Sequence, residues 1–172
     1  MKIREASIND AEEIAAVHVE SWKTTYTGII PESYLAALSV QSRAKNWVQV
    51  FENQRADEIV YIAEDLKGKM VGFAHGGHNR NEEYQYGGEL YALYVLQEHQ
   101  QLGIGKLLFN SMTRHLESNG CSSMMLWVLR DNPALAFYTR QGGRQIGQKN
   151  IVIGTNDLIE FAMGWNFAAD TI

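Results

Sequence analysis

The sequence predicts an α/β protein in which a mixed sheet of about seven strands is flanked by helices. Two observations lead to this fold class. Apolar residues recur at helical spacing in some segments and form short β-branched and aromatic runs in others. In the middle of the chain, a strand-like run, an amphipathic helix and a second strand-like run follow one another, which indicates a parallel crossover. With 172 residues and 45% hydrophobic composition, we expect a single domain over residues 1–172.

The first third of the chain is predicted to be mainly helical. Ser7 and Asp10 form a capping-box pattern ahead of apolar residues at helical spacing. Gly28 and Pro31 then interrupt the periodicity. We predict a short strand over residues 2–6 and helices over 10–23, 32–38 and 40–53.

The rest of the chain is predicted to alternate between strands and two helices. The clearest helix has an apolar stripe and ends at Asn119-Gly120. The run that follows it is apolar almost throughout, as expected of a central strand buried on both faces. We predict strands over 58–64, 69–77, 88–95, 122–130, 144–153 and 157–165, and helices over 103–120 and 132–140.

Charge and composition exclude several classes of partner. The net charge is −5, and no cluster of Lys or Arg forms the basic surface that nucleic-acid binding needs. No apolar run has the length of a membrane span, and the first residues are polar. We therefore expect a cytoplasmic protein that binds neither nucleic acid nor membrane. The single cysteine, Cys121, cannot form an internal disulfide, and we interpret it as a small hydrophobic residue.

The segment Gln100-Gln101-Leu102-Gly103-Ile104-Gly105 lies between a predicted strand and the clearest helix. A glycine-bearing turn at the start of a helix offers unpaired N–H groups and the positive end of the helix dipole to a pyrophosphate. A Walker loop would have glycine in place of Gln100 and Ser or Thr in place of Leu107. A dinucleotide-binding fingerprint would have glycine in place of Leu108. Neither of these two patterns matches.

The remaining pattern, Q-x-x-G-x-G directly after LYALYV, is followed later by NPALAFYTRQGG. Together these motifs resemble the GNAT superfamily of acetyl-CoA-dependent N-acetyltransferases, and the resemblance covers nearly the entire chain. It implies acetyl-CoA as cosubstrate and parallel central strands that splay apart at the cofactor site. The implied activity is transfer of an acetyl group to a primary amine by direct attack in a ternary complex.

The resemblance also assigns cofactor contacts. The backbone of Leu93, Tyr94 and Val95 would bind the pantetheine arm like an added strand, at a bulge where the parallel strands splay. The glycine-bearing loop would bind the diphosphate, and Asn132 the pantetheine or acetyl end. For Lys106, a solvated position in the first helical turn is the alternative interpretation. The implied cofactor-binding residues are Leu93, Tyr94, Val95, Gln100, Gln101, Leu102, Gly103, Ile104, Gly105, Lys106 and Asn132.

Two residues match catalytic positions of the family. Tyr138 matches the tyrosine that protonates the departing thiolate, and its alternative role is packing beneath the cofactor strand. Glu89 lies six residues before Val95, as does the glutamate base of histone-acetylating relatives, although many other relatives lack it. A solvent-facing glutamate at the start of a strand is the alternative for Glu89.

Residues 21–28 resemble the acceptor side of the family. Trp22 and Tyr26 are the candidate walls and Glu20 the candidate partner of a cation, although core packing explains Trp22 equally well. Glu20 and Glu89 favour a cationic acceptor, while antibiotic-like amines, polyamines, amino acids and protein N-termini all stay open. Relatives often form homodimers, so a homodimer is one expected state.

Two further functions are compatible with the same loop. One is a non-catalytic acyl-CoA-binding sensor, and the other is transfer of a longer acyl chain. The five histidines do not combine with other ligands at metal-binding spacing, so no metal is expected.

Overall fold

A computed structural model describes residues 1–167 of the protein. Its centre is a sheet of seven strands in the order β1-β2-β3-β4-β5-β7-β6. All neighbouring strands are antiparallel except β4 and β5. The predicted mixed α/β sheet is therefore confirmed. The strands are β1 (Lys2–Glu5), β2 (Ile59–Glu64), β3 (Met70–His78), β4 (Gly88–Val95), β5 (Ser123–Leu129), β6 (Arg144–Ile153) and β7 (Asn156–Asn166).

Helices cover both faces of the sheet. On one face, α1 and α3 bury a cluster that includes Val60, Ile62 and Phe73 of the sheet. On the other face, the apolar stripe of α4 packs against the sheet, as predicted from its periodicity. No helix within residues 1–167 is both long and apolar enough to cross a bilayer. The helices are α1 (Ala11–Thr25), α2 (Glu32–Ala36), α3 (Val40–Glu52), α4 (Ile104–Ser118) and α5 (Ala134–Arg140).

The helix ends differ slightly from those predicted. A single 3₁₀ turn, Ile8–Asp10, precedes α1, and Ser7 N donates to Asp10 Oδ2 at 2.7 Å within the predicted capping box. The last helix begins at Ala134 rather than at Asn132. Its start is displaced because Asn132 Oδ1 accepts a hydrogen bond from Ala134 N at 2.8 Å, which places Asn132 outside the helix.

The unit formed by β4, α4 and β5 is the predicted parallel crossover, and it opens the sheet. Pairing between β4 and β5 is limited to Gly88 with Met124 and Glu89 with Met125. Beyond those positions β4 keeps its pairing with β3, while β5 keeps its pairing with β7 up to Leu129. The two parallel strands consequently diverge towards their C-terminal ends. The expected splaying of central strands is present in the structure.

The bulge in β4 lies earlier than expected. The resemblance placed it at Leu93–Val95, but the register with β3 shifts where Gly76 pairs with Leu90 and His75 pairs with Ala92. Tyr91 is thus the extra residue. The two strands approach closely just before it, because a Cβ on Gly76 would lie 2.7 Å from the Glu89 carbonyl oxygen. The bulge changes the direction of β4 just after Glu89, the last β4 residue that pairs with β5.

Candidate active site

A cleft of about 830 Å³ passes through the opening between β4 and β5. Because side chains alternate along a strand, Leu126 and Val128 of β5 face α4, while Trp127 and Leu129 face α1. All four of these residues line the cleft, so it is open to both faces of the sheet. Its volume suits a small molecule or the arm of a larger cofactor.

The mouth on the α4 side presents positive charge. Gly103 caps α4 with a φ of 81°, and a Cβ there would meet no atom within 4 Å. Within residues 1–167, no hydrogen bond uses the N–H groups of Gly103, Ile104, Gly105 or Lys106. These groups and the helix dipole point positive charge at the same place. The side chains of Lys106 and Arg140 line the same cleft and add two formal cations.

Some of the predicted loop residues line the cleft and others do not. Gln100, Gln101, Gly103, Gly105 and Lys106 line it. Gln100 Nε2 donates to the Val95 carbonyl oxygen at 3.0 Å, which fixes the loop to the end of β4. The Leu102 and Ile104 side chains do not line it, since Leu102 is 68% exposed and Ile104 is buried in the core. Only their backbone groups are available to a ligand in the cleft.

The β4 wall consists of Leu93, Tyr94 and Val95, as the resemblance implied. Among residues 1–167, the edge of this strand that faces β5 carries no strand pairing beyond Glu89. Such an edge can accept an extended ligand through main-chain hydrogen bonds. The Tyr94 ring packs towards α1, where its hydroxyl accepts a hydrogen bond from Trp22 Nε1 at 2.9 Å.

Tyr138 lies on α5 inside the cleft. The residue is only 6% exposed, and burial raises the pKa of its phenol. Its hydroxyl takes part in no hydrogen bond within residues 1–167, although it is not sealed from solvent. The neighbouring Phe137 also lines the cleft while packing against the core. Tyr138 therefore offers a neutral O–H that is free to donate to a bound group.

Asn132 connects the two faces of the opening. Its Oδ1 caps α5, and its Nδ2 donates to the Tyr26 hydroxyl at 3.3 Å. Tyr26 is itself buried, and burial raises the pKa of its phenol. Both ends of the Asn132 amide are thus engaged within the protein, so the side chain holds α5 against the segment that follows α1.

The acceptor-side candidates separate in the structure. Trp22 and Tyr26 line the cleft, with ring centroids 5.0 Å apart. Glu20, by contrast, is exposed on α1 and is not among the residues that line the cleft. The helix turns its side chain away from the opening.

Glu89 lines the cleft, but its carboxylate is enclosed. The residue is 3% exposed. Its Oε2 accepts hydrogen bonds from Arg80 N at 2.9 Å, Arg80 Nε at 3.2 Å and Asn81 Nδ2 at 3.1 Å. Its Oε1 accepts from Arg80 Nη2 at 2.8 Å. Glu89 thereby anchors the start of the segment that joins β3 to β4.

The cleft residues that were not identified from the sequence include Arg80, Tyr91, Trp127, Lys149 and Glu160. Arg80 belongs to the polar stretch between two predicted strands, where nothing in the sequence fixes side-chain direction. The other four lie on strands. The common face of Trp127, Lys149 and Glu160 follows only from the register of β5, β6 and β7, which pairs Leu129 with Glu160 and Glu160 with Lys149. Tyr91 is the bulge residue of β4.

Cys121 lies outside the cleft. It lines a separate small cavity with residues that include His78 and Asn119, and burial raises the pKa of its thiol. Within residues 1–167, no three His, Cys, Asp or Glu side chains come together as a metal site.

Comparison with known proteins decides the family. The model of the GNAT acetyltransferase family matches residues 19–143, which include the loop before α4, the whole crossover and Tyr138. The chain belongs to the GNAT acetyltransferase family.

Two curated GNAT relatives match most of the chain. An uncharacterized N-acetyltransferase of Bacillus subtilis (strain 168), YuaI, is 39% identical over 163 residues, covering 95% of this chain and 91% of its own. The spermidine N1-acetyltransferase of Thermoplasma acidophilum is 28% identical over 145 residues, covering 83% of this chain and 87% of its own.

Solved GNAT structures share the fold. The PaiA N-acetyltransferase from Thermoplasma acidophilum, in complex with coenzyme A, superposes with a TM-score of 0.72 at 26% identity, covering 96% of this chain and 98% of its own. A phosphinothricin N-acetyltransferase described as putative superposes with a TM-score of 0.76 at 16% identity, covering 96% of this chain and 98% of its own.

Proposed function

We propose that the protein transfers an acetyl group from acetyl-CoA to a primary amine, by direct attack of the amine in a ternary complex. One observation carries the proposal. The cleft runs through the sheet from an anion-binding helix start to an aromatic-lined opposite face, and the Tyr138 hydroxyl stands unpartnered within it. Membership of the GNAT family supports it.

The α4 side of the cleft fits acetyl-CoA. The unpaired N–H groups of Gly103 to Lys106 would hold the diphosphate, with Lys106 and Arg140 adding charge. The open edge of β4 from Leu93 to Val95 would hold the pantetheine arm as an added strand. The relative from Thermoplasma acidophilum, crystallised with coenzyme A, supports this assignment.

The reaction needs a proton donor and a proton acceptor. The amine nitrogen forms a bond to the thioester carbonyl carbon, the carbon–sulfur bond breaks, and the thiolate takes a proton. Tyr138 would supply that proton, because its phenol is protonated at neutral pH and its hydroxyl has no hydrogen-bond partner within residues 1–167. The amine must lose a proton as it attacks, and Glu89, which lines the cleft, is the proposed acceptor through an ordered water.

A thiol-release assay over a library of amines tests the proposal. We expect one class of primary amine to accelerate release of coenzyme A, and mass spectrometry to find that amine heavier by one acetyl group. Tight coenzyme A binding without stimulation by any amine would contradict the proposal and favour an acyl-CoA sensor. A panel of acyl-CoA donors in the same assay tests transfer of a longer acyl chain.

A further inference from the structure

The α1 face of the cleft carries two ion pairs, and in each pair the cationic side chain is more exposed than the anionic one. In the first, the Arg80 side chain is 53% exposed while its partner Glu89 is 4% exposed. The guanidinium uses Nε and Nη2 to bind the carboxylate, which leaves Nη1 without a hydrogen-bond partner among residues 1–167. The Arg80 guanidinium also lies 3.6 Å from the centroid of the Tyr91 ring. This pair presents its cation to the cleft and hides its anion.

The second pair has the same polarity. Lys149 Nζ lies 3.4 Å from Glu160 Oε2, and the side chains are 44% and 20% exposed respectively. The same ammonium lies 3.9 Å from the centroid of the Trp127 ring. Cation–π contact and the ion pair together hold it in one place.

Both cations stand beside the opening in the sheet. Trp127 is two residues beyond Met125, the last β5 residue paired with β4, so Lys149 is held where the strands begin to diverge. Arg80 is bound to Glu89, the last paired residue of β4. The two cations are therefore anchored to the two strands that border the opening.

We infer that the acceptor carries an anionic group, most simply a carboxylate, which binds between Arg80 and Lys149 while its amine faces the thioester. Guanidinium and ammonium groups with free N–H donors bind carboxylates through charge-assisted hydrogen bonds. This inference rests on the proposed transferase function and names the acceptor class of that site. It replaces the cationic acceptor expected from Glu20 and Glu89, because Glu20 does not line the cleft and Glu89 is covered by Arg80.

The test compares matched acceptors. Each standard amino acid with a primary α-amine is assayed for thiol release beside its carboxamide, which keeps the amine and side chain but removes the negative charge of the α-carboxylate. We expect kcat/KM for the best amino acid to exceed that of its amide about tenfold or more, the scale of a hydrogen bond between charged groups. The KM of the amino acid should rise with ionic strength, because the salt screens the attraction.

Substitutions assign that preference to the two cations. In Lys149→Gln and in Arg80→Gln, the ratio of kcat/KM between amino acid and amide should fall towards one. Damage to the fold would lower kcat/KM for the amino acid and for its amide alike, and would leave their ratio unchanged. Equal or better use of the amides, a ratio unmoved in both variants, or preference for amines with a second positive charge would each overturn the inference.

A binding measurement keeps the inference separate from catalysis. With the protein saturated in coenzyme A, calorimetry should show N-acetyl amino acids binding more tightly than their amides, and Lys149→Gln should abolish the difference. If no amine stimulates thiol release yet this difference is found, the proposed transferase function fails and the anion site stands. If thiol release occurs but neither assay distinguishes acid from amide, the anion site fails and the transferase stands.

Discussion

Tyr138 combines a buried ring with a hydroxyl that is open to the cleft. The residue is 6% exposed, and within residues 1–167 its hydroxyl has no hydrogen-bond partner. Burial raises the pKa of the phenol further above neutral pH. A hydroxyl kept neutral and unpartnered inside a cleft is available to a bound thiol or thiolate.

Replacing Tyr138 with Phe should preserve the fold and the affinity for coenzyme A, because only the hydroxyl disappears. If Tyr138 protonates the thiolate, single-turnover acetyl transfer should slow by about a hundredfold, at the low end for general acid catalysis because a thiolate is a good leaving group. Phe137→Leu, which alters the adjacent cleft wall without removing a hydroxyl, is the matched control. Transfer in Tyr138→Phe as fast as in the parent at every pH would return Tyr138 to a packing role.

Glu89→Gln should lower turnover at neutral pH by about a hundredfold if Glu89 accepts the amine proton. Part of the loss should be recovered at high pH, where more of the amine is already deprotonated. The substitution also leaves Arg80 facing an amide, so Arg80→Gln serves as the comparison. A loss of the same size and the same pH profile in both variants would mean that Glu89 acts by holding Arg80 in place.

At this scale the sequence located residues that line the cleft better near α4 than on the α1 face. The loop and Tyr138 could be predicted because their motifs lie within one strand-to-helix turn and one short helix. Arg80 and Lys149 could not, since their proximity to the opening depends on contacts with Glu89 and Trp127, which are distant in sequence or on other strands. Glu20 was misleading because the side-chain direction at the end of α1 depends on how the helix packs.

The start of α4 is the element that combines local backbone geometry with charge. Gly103 adopts a left-handed φ of 81°, which turns successive N–H groups towards the cleft. Two residues before Gly103, Gln101 also has a positive φ, of 61°. The backbone geometry of this turn is therefore set by a short stretch of chain, which is why the sequence could predict a glycine-bearing helix start here.

Gly103→Glu should greatly weaken coenzyme A binding, because it adds a carboxylate and a side chain at the anion site. The substitution also strains a left-handed position, so Gly68→Glu is the matched control: Gly68 has the same φ of 81° and equally open surroundings, but lies in the turn between β2 and β3. Calorimetry should show an affinity loss of at least tenfold in Gly103→Glu only. Equal affinities in the two folded variants would remove the loop from the cofactor site.

The crossover was also predictable as an element. An apolar strand that follows an amphipathic helix almost requires parallel pairing, and the structure confirms it. The bulge at Tyr91 was not predicted at its true place, because it depends on how closely Gly76 lets β3 approach β4. Register shifts of this kind depend on contacts between strands and leave no periodic signal in the sequence.

At the scale of the whole molecule, the packing of α1 against the sheet encloses a histidine, His18, and disfavours its protonated form. His18 is enclosed by aromatic rings, stacks on Tyr94 at 5.1 Å and accepts a hydrogen bond from Trp47 Nε1 at 3.3 Å. Burial, together with the positive charge of Arg43 and the proximity of His75, lowers its pKa from 6.5 to about 3. Protonating His18 therefore destabilises the folded state relative to the unfolded chain.

The free energy of unfolding should consequently fall as the pH decreases from about 6.5 towards 3. Over that range the unfolded chain binds a proton at residue 18 that the folded chain excludes, with a slope of up to about 1.4 kcal/mol per pH unit. His18→Gln keeps a hydrogen-bond acceptor for Trp47 and should flatten the dependence. His78→Gln, at an exposed histidine, is the control. Identical slopes in denaturant titrations of the parent and His18→Gln would contradict this assignment.

The joining segment between β3 and β4 rests on glycines of the last two strands. Tyr84 lies directly over Gly147 of β6, where an added Cβ would overlap its hydroxyl, and Tyr86 lies over Gly164 of β7. Tyr84 packs edge-on against Trp127, which lines the cleft, with ring centroids 5.5 Å apart. A methyl group at position 147 would displace Tyr84 and so disturb the cleft on the side away from α4. Under the proposed function, a change on an edge strand could therefore alter the choice of acceptor without touching the cofactor contacts.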